Sequence, residues 1–349
     1  FADYFKSNCY DLDKTTTLKT VEPYENITFQ PRFYFDFPKG FKLTFGTRFY
    51  HQEQDYKTLI KEVNYNGIAK INEWDIQTKL EQRWNSKINS EYEFYTTNYQ
   101  NYSFLNNPDN VLFEESYYNQ WLFRPEIRTT FVMNENKLTT GIGLNFETLN
   151  RTYFAEKAML KSQFVFFQYD YNPNYKWNIL AGLRYDNTNQ YQSQFSPKLA
   201  VNFKINTRLS LKTSIGYGFK APDFRQLYFD FLNSSVGYAV LGYNVAESEL
   251  NLLEGQGQLL YRIPGISFEN PLKPESSINF NFGSYYQKEQ LKIEANLFYN
   301  SISNLIDTRV VAQKTNGQNV FSYFNINQIF TYGLEFNSTY FFSKQITIA

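Results

Sequence analysis

Hydrophobic and polar residues alternate with period two along most of the chain, the signature of strands with one apolar and one polar face. In 41–50, Phe41, Leu43, Phe45 and Phe49 share one face and Lys42, Thr44 and Arg48 the other. In 73–84, Trp74, Ile76, Leu80 and Trp84 oppose Glu73, Asp75, Gln77, Lys79, Glu81 and Arg83. The stretch 209–219 sets Leu209, Leu211, Ile215, Tyr217 and Phe219 against Ser210, Lys212, Ser214, Gly216 and Gly218. In 290–300, Leu291, Ile293, Ala295, Leu297 and Tyr299 oppose Lys292, Glu294 and Asn296. These runs reach about ten residues, longer than an ordinary sandwich strand and long enough for a tilted strand to cross a bilayer.

Short polar turns fall at Pro38-Lys39-Gly40, Asn85-Ser86-Lys87, Asn134-Glu135-Asn136, Asn172-Pro173-Asn174, Ile205-Asn206-Thr207, Lys288-Glu289 and Ser343-Lys344. They take turns with longer links at 53–71, 102–115, 149–157, 188–192, 220–275 and 304–319. A meander that is tight at one rim and extended at the other is the pattern of outer-membrane barrels, with the tight turns on the periplasmic side. The pattern predicts about fourteen strands and a further one beginning at Gln345, with no helical segment and no second domain. A sheet with two open edges does not sit in lipid, so strands are expected on either side of 1–349. The fold class is therefore all-β, a partial transmembrane antiparallel β-barrel.

Composition agrees. Mean hydropathy is −0.53 although 20% of the 349 residues are aromatic, which suits a wall with one lipid face, one wet face and aromatic rims. The 34 basic and 34 acidic side chains balance, so nothing points to nucleic acid. One cysteine, Cys9, and one histidine, His51, exclude a disulfide framework and a multi-histidine metal centre. An outer-membrane protease or phospholipase needs a nucleophile with a nearby histidine, which a single histidine scarcely supplies.

The most informative stretch is Gly218-Phe219-Lys220-Ala221-Pro222-Asp223-Phe224-Arg225-Gln226-Leu227-Tyr228-Phe229, followed some fifty residues later by Glu269-Asn270-Pro271-Leu272-Lys273-Pro274-Glu275-Ser276-Ser277. These segments resemble the paired "GFRAP…LxxLY" and "NPxLKPExS" boxes of TonB-dependent outer-membrane receptors. Tyr332-Gly333-Leu334-Glu335-Phe336 is similar to a later "GxE" strand of that family, and Tyr10-Asp11-Leu12 through Lys19-Thr20-Val21 to an early extracellular loop. The resemblance covers essentially the whole chain.

It implies a barrel domain, 1–349, of a 22-stranded plan, lying in the bacterial outer membrane and following a plug that precedes residue 1. It also implies a receptor rather than an enzyme, without an intrinsic cofactor. The cargo is an iron chelate, haem or a ferric siderophore, and energy comes from the TonB–ExbB–ExbD complex through a TonB box on the plug. The other partners are outer-membrane lipid and the small-molecule ligand. Cobalamin or another TonB-dependent substrate is the alternative, and a passive porin-like channel or a polymer-binding surface receptor are further rivals.

The loop 220–275 carries the ligand-binding candidates Lys220, Arg225, Tyr228, Tyr238, Tyr243, Asn270 and Lys273; His51 is placed at the outer end of its strand. Haem-type boxes have a histidine between them and this sequence has none, so a haem ligand here is a tyrosinate from Tyr228, Tyr238 or Tyr243. Pro222, Pro271 and Pro274 mark strand ends, and Gly216 and Gly218 leave the lumen side open. Tyr92, Phe94, Tyr95, Tyr99, Tyr102 and Phe104 can stack on a ligand, but an interfacial girdle explains them more simply.

Overall fold

The computed structural model describes residues 1–349 apart from 14, 16, 17, 61, 155, 234, 235, 327, 343–346 and 349. The predicted turn at Ser343-Lys344 and the start of the strand at Gln345 lie outside the described residues. Contacts divide the chain into two compact units. One is Phe1–Trp84, Ser90–Ile127 and Gly143–Lys161; the other is Asn85–Asn89, Arg128–Ile142 and Ser162–Ala349.

The first unit is an antiparallel meander of β1 (Ala2–Ser7), β2 (Tyr24–Phe29), β3 (Arg32–Phe37), β4 (Phe41–Ile60) and β5 (Val63–Arg83). Parts of β6 (Ile88–Asn106), β7 (Leu112–Met133), β8 (Asn136–Arg151) and β9 (Ala158–Asn174) complete it. Both β2 and β3 pair with β4, one against its distal and one against its proximal half, so they form a single strand interrupted at Gln30-Pro31. Pro31 has no N–H to give a ladder.

The ladder between β4 and β5 runs from Phe41↔Gln82 to Ile60↔Val63, which makes the predicted link 53–71 strand almost throughout. The link 102–115 likewise shrinks to 107–111. In the distal half of β4 polar residues occupy both faces, and in β5 the apolar Val63, Tyr65, Ala69 and Ile71 take the parity of Glu73 rather than that of Trp74, so the pattern of the lower halves does not continue.

In the second unit the main strands are β9, β10 (Trp177–Thr188), β11 (Gln194–Lys204) and β12 (Leu209–Lys220). An insertion follows: α1 (Phe224–Tyr228), β13 (Asp230–Leu232), β14 (Ala239–Leu241), α2 (Tyr243–Gly255) and β15 (Leu259–Arg262). The wall resumes with β16 (Glu275–Lys288) and β17 (Leu291–Ser303), is left again for β18 (Ile306–Lys314) and β19 (Asn319–Asn325), and ends with β20 (Ile329–Phe341) and β21 (Thr347–Ile348). The two helices correct the expectation that the chain has none. Asn172-Pro173-Asn174 belongs to β9, so that turn sits two residues later than predicted. Outside the insertions the described strands number 16. With β2 and β3 taken as one and β21 as the last, they match the fourteen-plus-one pattern of the sequence.

Register shows why the wall has two unlike faces. One cross-strand row is Tyr169–Ala181–Leu199–Ile215–Phe280–Tyr299–Tyr332, entirely apolar or aromatic. The next row, one residue along, is Gln168–Gly182–Lys198–Gly216–Asn279–Asn300–Thr331, polar or glycine at every position. A slip of one residue anywhere exchanges these faces, so keeping every apolar position on one side of the wall fixes the register.

Candidate functional site

The site is built from two insertions that fold as one body. β13, β14 and β15 from 221–274 join β18 and β19 from 304–328 in a five-stranded sheet of order β13-β14-β19-β18-β15. β14 runs parallel to β19, with Ala239, Val240 and Leu241 opposite Val320, Phe321 and Ser322. Ala239, Leu241, Ala246 and Leu250 from the first insertion bury against Val311, Ala312 and Val320 from the second. Neither insertion has enough apolar surface to close a core by itself, and packing together removes both sets from water. The predicted link 304–319 is thus mostly a hairpin of this body.

Local chemistry shapes the entry. After Pro222, the Asp223 carboxylate accepts the Gln226 N–H at 2.7 Å while the Gln226 side chain accepts the Asp223 N–H at 2.9 Å. This capping box starts α1 immediately beyond the wall. Gly242 lies where α1 returns against the start of α2. A Cβ there would come within 2.4 Å of the backbone nitrogens of Tyr228 and Phe229, so the close approach requires glycine.

The structure brings some predicted residues together and separates others. Lys220 and Glu275 are the last cross-strand pair of β12 and β16, with the ammonium 3.3 Å from both carboxylate oxygens. Glu275 is buried and also accepts the Ile306 N–H at 3.0 Å, joining both insertions to the wall. Lys273 offers its backbone to Asn325: its N–H donates to Oδ1 at 2.8 Å and its carbonyl accepts from Nδ2 at 2.9 Å. Asn325 Nδ2 also reaches the Asn304 carbonyl at 2.8 Å. Arg225 is exposed on α1, and its charge acts on Tyr323. Burial pushes the Tyr323 phenol up, Arg225 pulls it back, and Asp223 and Asp307 push it further.

The three loop tyrosines differ in what their hydroxyls do. Tyr243 is buried between Phe268 and Phe324, and its hydroxyl donates to the carbonyl of Asn270. Burial raises its phenol. The Tyr228 hydroxyl donates to Gln190 at 2.6 Å. Tyr238 packs edge-on against Phe231 and Phe321, and among the described residues its hydroxyl has no hydrogen-bond partner.

His51 needs correction. It lies midway along β4, paired with Ile27 and Asn72, rather than at the strand's outer end. It shares the face of exposed Phe49 and Ile27, with Nδ1 2.7 Å from Asn72 Oδ1. The sequence placed it too high because the wet half of β4 was taken for loop.

Sequence reasoning passed over Asn325, Gln190 and the carboxylates Asp230 and Glu249. Burial raises both carboxyls, and the nearby Asp230 charge raises Glu249 further. Asparagine and glutamine in a polar loop give no local sign of such roles. Only the contact between distant insertions reveals them.

An antiparallel meander with one lipid-type face and elaborate loops at one end defines the class, a membrane β-barrel wall. No helix among the described residues is long and apolar enough to cross a membrane, which leaves crossing by strands untouched. The chain belongs to the TonB-dependent receptor-like β-barrel family, whose sequence pattern matches residues 7–349. Members of that family are outer-membrane transporters, not enzymes. It is 28% identical over 129 residues to the probable TonB-dependent siderophore receptor PirA of Acinetobacter baumannii, a stretch covering 37% of this chain and 15% of that receptor. In fold it is similar to the siderophore receptor PirA from Pseudomonas aeruginosa (TM-score 0.55, 15% identity, 95% of this chain and 66% of that one). It is also similar to a Serratia marcescens hemophore receptor HasR solved with its hemophore HasA and heme (TM-score 0.65, 13% identity, 97% and 56%). The chain thus spans less than two thirds of either solved receptor.

Proposed function

We propose that this chain forms the wall and outer loops of a bacterial outer-membrane receptor that imports an iron chelate, haem or a ferric siderophore. The carrying observation is the body built from 221–274 and 304–328, which has a core of its own and is joined to the wall through Glu275. A passive pore has no need of a folded cap, whereas a receptor needs a rigid platform for selective contacts. The siderophore and hemophore receptors among its relatives support the same reading.

In this reading the apolar row faces lipid and the polar row faces a plug-filled lumen. Ligand is gripped at the outer loops, and a plug linked to TonB–ExbB–ExbD supplies the energy. Arg225 and Lys273 offer exposed positive charge to an anionic chelate, and Tyr238 offers a free hydroxyl. The siderophore form is favoured over haem because two of the three loop tyrosines already use their hydroxyls within the protein. A deletion strain supplied with haem or with defined siderophores as sole iron source tests this. Loss of growth on a siderophore alone is the expected result, and normal growth on every iron source overturns the proposal.

A further inference from the structure

The wall of the second unit is open along one seam. β11 pairs with β10 as far as Gln194↔Asp186, and β12 pairs with β16 as far as Lys220↔Glu275. The ladder between β11 and β12 stops earlier, at Lys198↔Gly216. The next residue of β11 is Pro197, which has no N–H to continue it. Beyond that point 194–197 and 217–220 are in a ladder on one side only. Side chains bridge the gap instead. The Tyr217 hydroxyl donates to Gln194 at 3.3 Å, the rings of Tyr191 and Phe219 lie 6.3 Å apart, and Tyr228 reaches Gln190.

Beside the seam is a groove of about 730 Å³, within the roughly 300–1,000 Å³ of specific small-molecule sites. Phe167, Leu183, Phe195, Leu199 and Ile215 line it, all on the apolar face, and Ala181 is the smallest side chain on that face of it. Its one cation, Lys198, belongs to the polar row and leans across Gly182 on the opposite side of the wall.

We propose that groove and seam together bind one acyl chain of a zwitterionic glycerophospholipid. The chain fills the apolar groove, and its ester carbonyl accepts hydrogen bonds from backbone N–H groups that the seam leaves without a ladder partner. Three observations select this occupant. The groove is continuous with the face that meets lipid, unpaired backbone groups in lipid are costly and draw a polar partner, and among the described residues that line the groove none places a cation on its outward side to hold a multiply phosphorylated headgroup. The inference rests on the membrane reading above.

The test is native mass spectrometry of the full-length receptor, extracted from its own membrane into mild detergent, with fractionation and heat-modifiable migration read separately. The wild-type protein is expected to keep a phosphatidylethanolamine adduct. Ala181→Phe, which fills the groove, and Pro197→Thr, which restores a ladder donor, are each expected to lower its retention about tenfold or more. Leu334→Phe, on the same face but outside the groove, is expected to keep it. Equal retention by folded wild type and both groove variants, or retention of lipid A alone, overturns the lipid site while leaving the receptor reading intact. A protein absent from the outer-membrane fraction overturns both.

Discussion

Lys220 and Glu275 close the ladder between β12 and β16, and Glu275 reaches beyond that pair to the backbone N–H of Ile306. One carboxylate therefore ties together the wall strand before the first insertion, the strand after it, and the start of the second. The ion pair itself adds little, because the Lys220 side chain is 64% exposed and such pairs contribute about 0–1 kcal/mol. The buried hydrogen bond to Ile306 matters more. Glu275→Ala should destabilise the loop body by about 1–3 kcal/mol, the cost of an unpaired buried group. Lys220→Ala should do far less. Protease nicking of 221–274 in the intact receptor distinguishes the two.

Asn325→Ala removes three hydrogen bonds, two to Lys273 and one to Asn304. At about 0.5–1.5 kcal/mol each, the loss should be about 1.5–4.5 kcal/mol. Hydrogen exchange should show faster opening around 270–275 and 304–306, with the ladder from β9 to β12 unaffected. Protection unchanged in those segments would show that Asn325 does not hold them.

Gly242→Ala brings a methyl group within 2.4 Å of two backbone nitrogens that cannot move aside without shifting α1. A cost of about 3 kcal/mol or more is expected, at the top of the range for overpacking. Ligand uptake should fall while heat-modifiable migration of the barrel stays normal, because the insertion is disturbed and the wall is not.

Tyr243→Phe removes a hydroxyl that binds the Asn270 carbonyl inside the core, so it should cost about 1 kcal/mol in loop stability and leave uptake unchanged. Burial raises this phenol and keeps it protonated at neutral pH, which disfavours it as a tyrosinate ligand. Tyr238→Phe is the informative change. If haem is carried through a tyrosinate, that variant alters the haem absorption spectrum and Tyr243→Phe does not.

Asp230 and Glu249 lie in the loop body with carboxyls raised mainly by burial. A raised acid binds its proton more tightly in the folded state. Its stabilising contribution is complete below the ordinary carboxylate range and is lost as pH rises through the raised value. Amide exchange of β13 and α2 should therefore quicken as pH rises through that window. The double variant Asp230→Asn, Glu249→Gln should flatten the dependence, and a slope retained by the variant would assign it to other groups.

Most of the wall was legible in the sequence. Residues such as Leu291, Ile293, Ala295, Leu297 and Tyr299 lie on a face set by the pleat, and lipid on one side with water on the other writes period two directly into the chain. The distal halves of β4 and β5 were not legible, because 51–55 is polar on both faces and the apolar Val63, Tyr65, Ala69 and Ile71 change to the face opposite Trp74. His51 was misplaced for that reason. The paired boxes located Lys220 and Glu275, but the cap above them was decided only in three dimensions. Ala239-Val240-Leu241 and Val320-Phe321-Ser322 are too short to show a period, and about 80 residues separate them. They become strands because each supplies the other's missing ladder and buried face. The sequence by itself determined the two-faced wall and its tight turns; the joining of two distant insertions into one body was settled by burial that neither achieves alone.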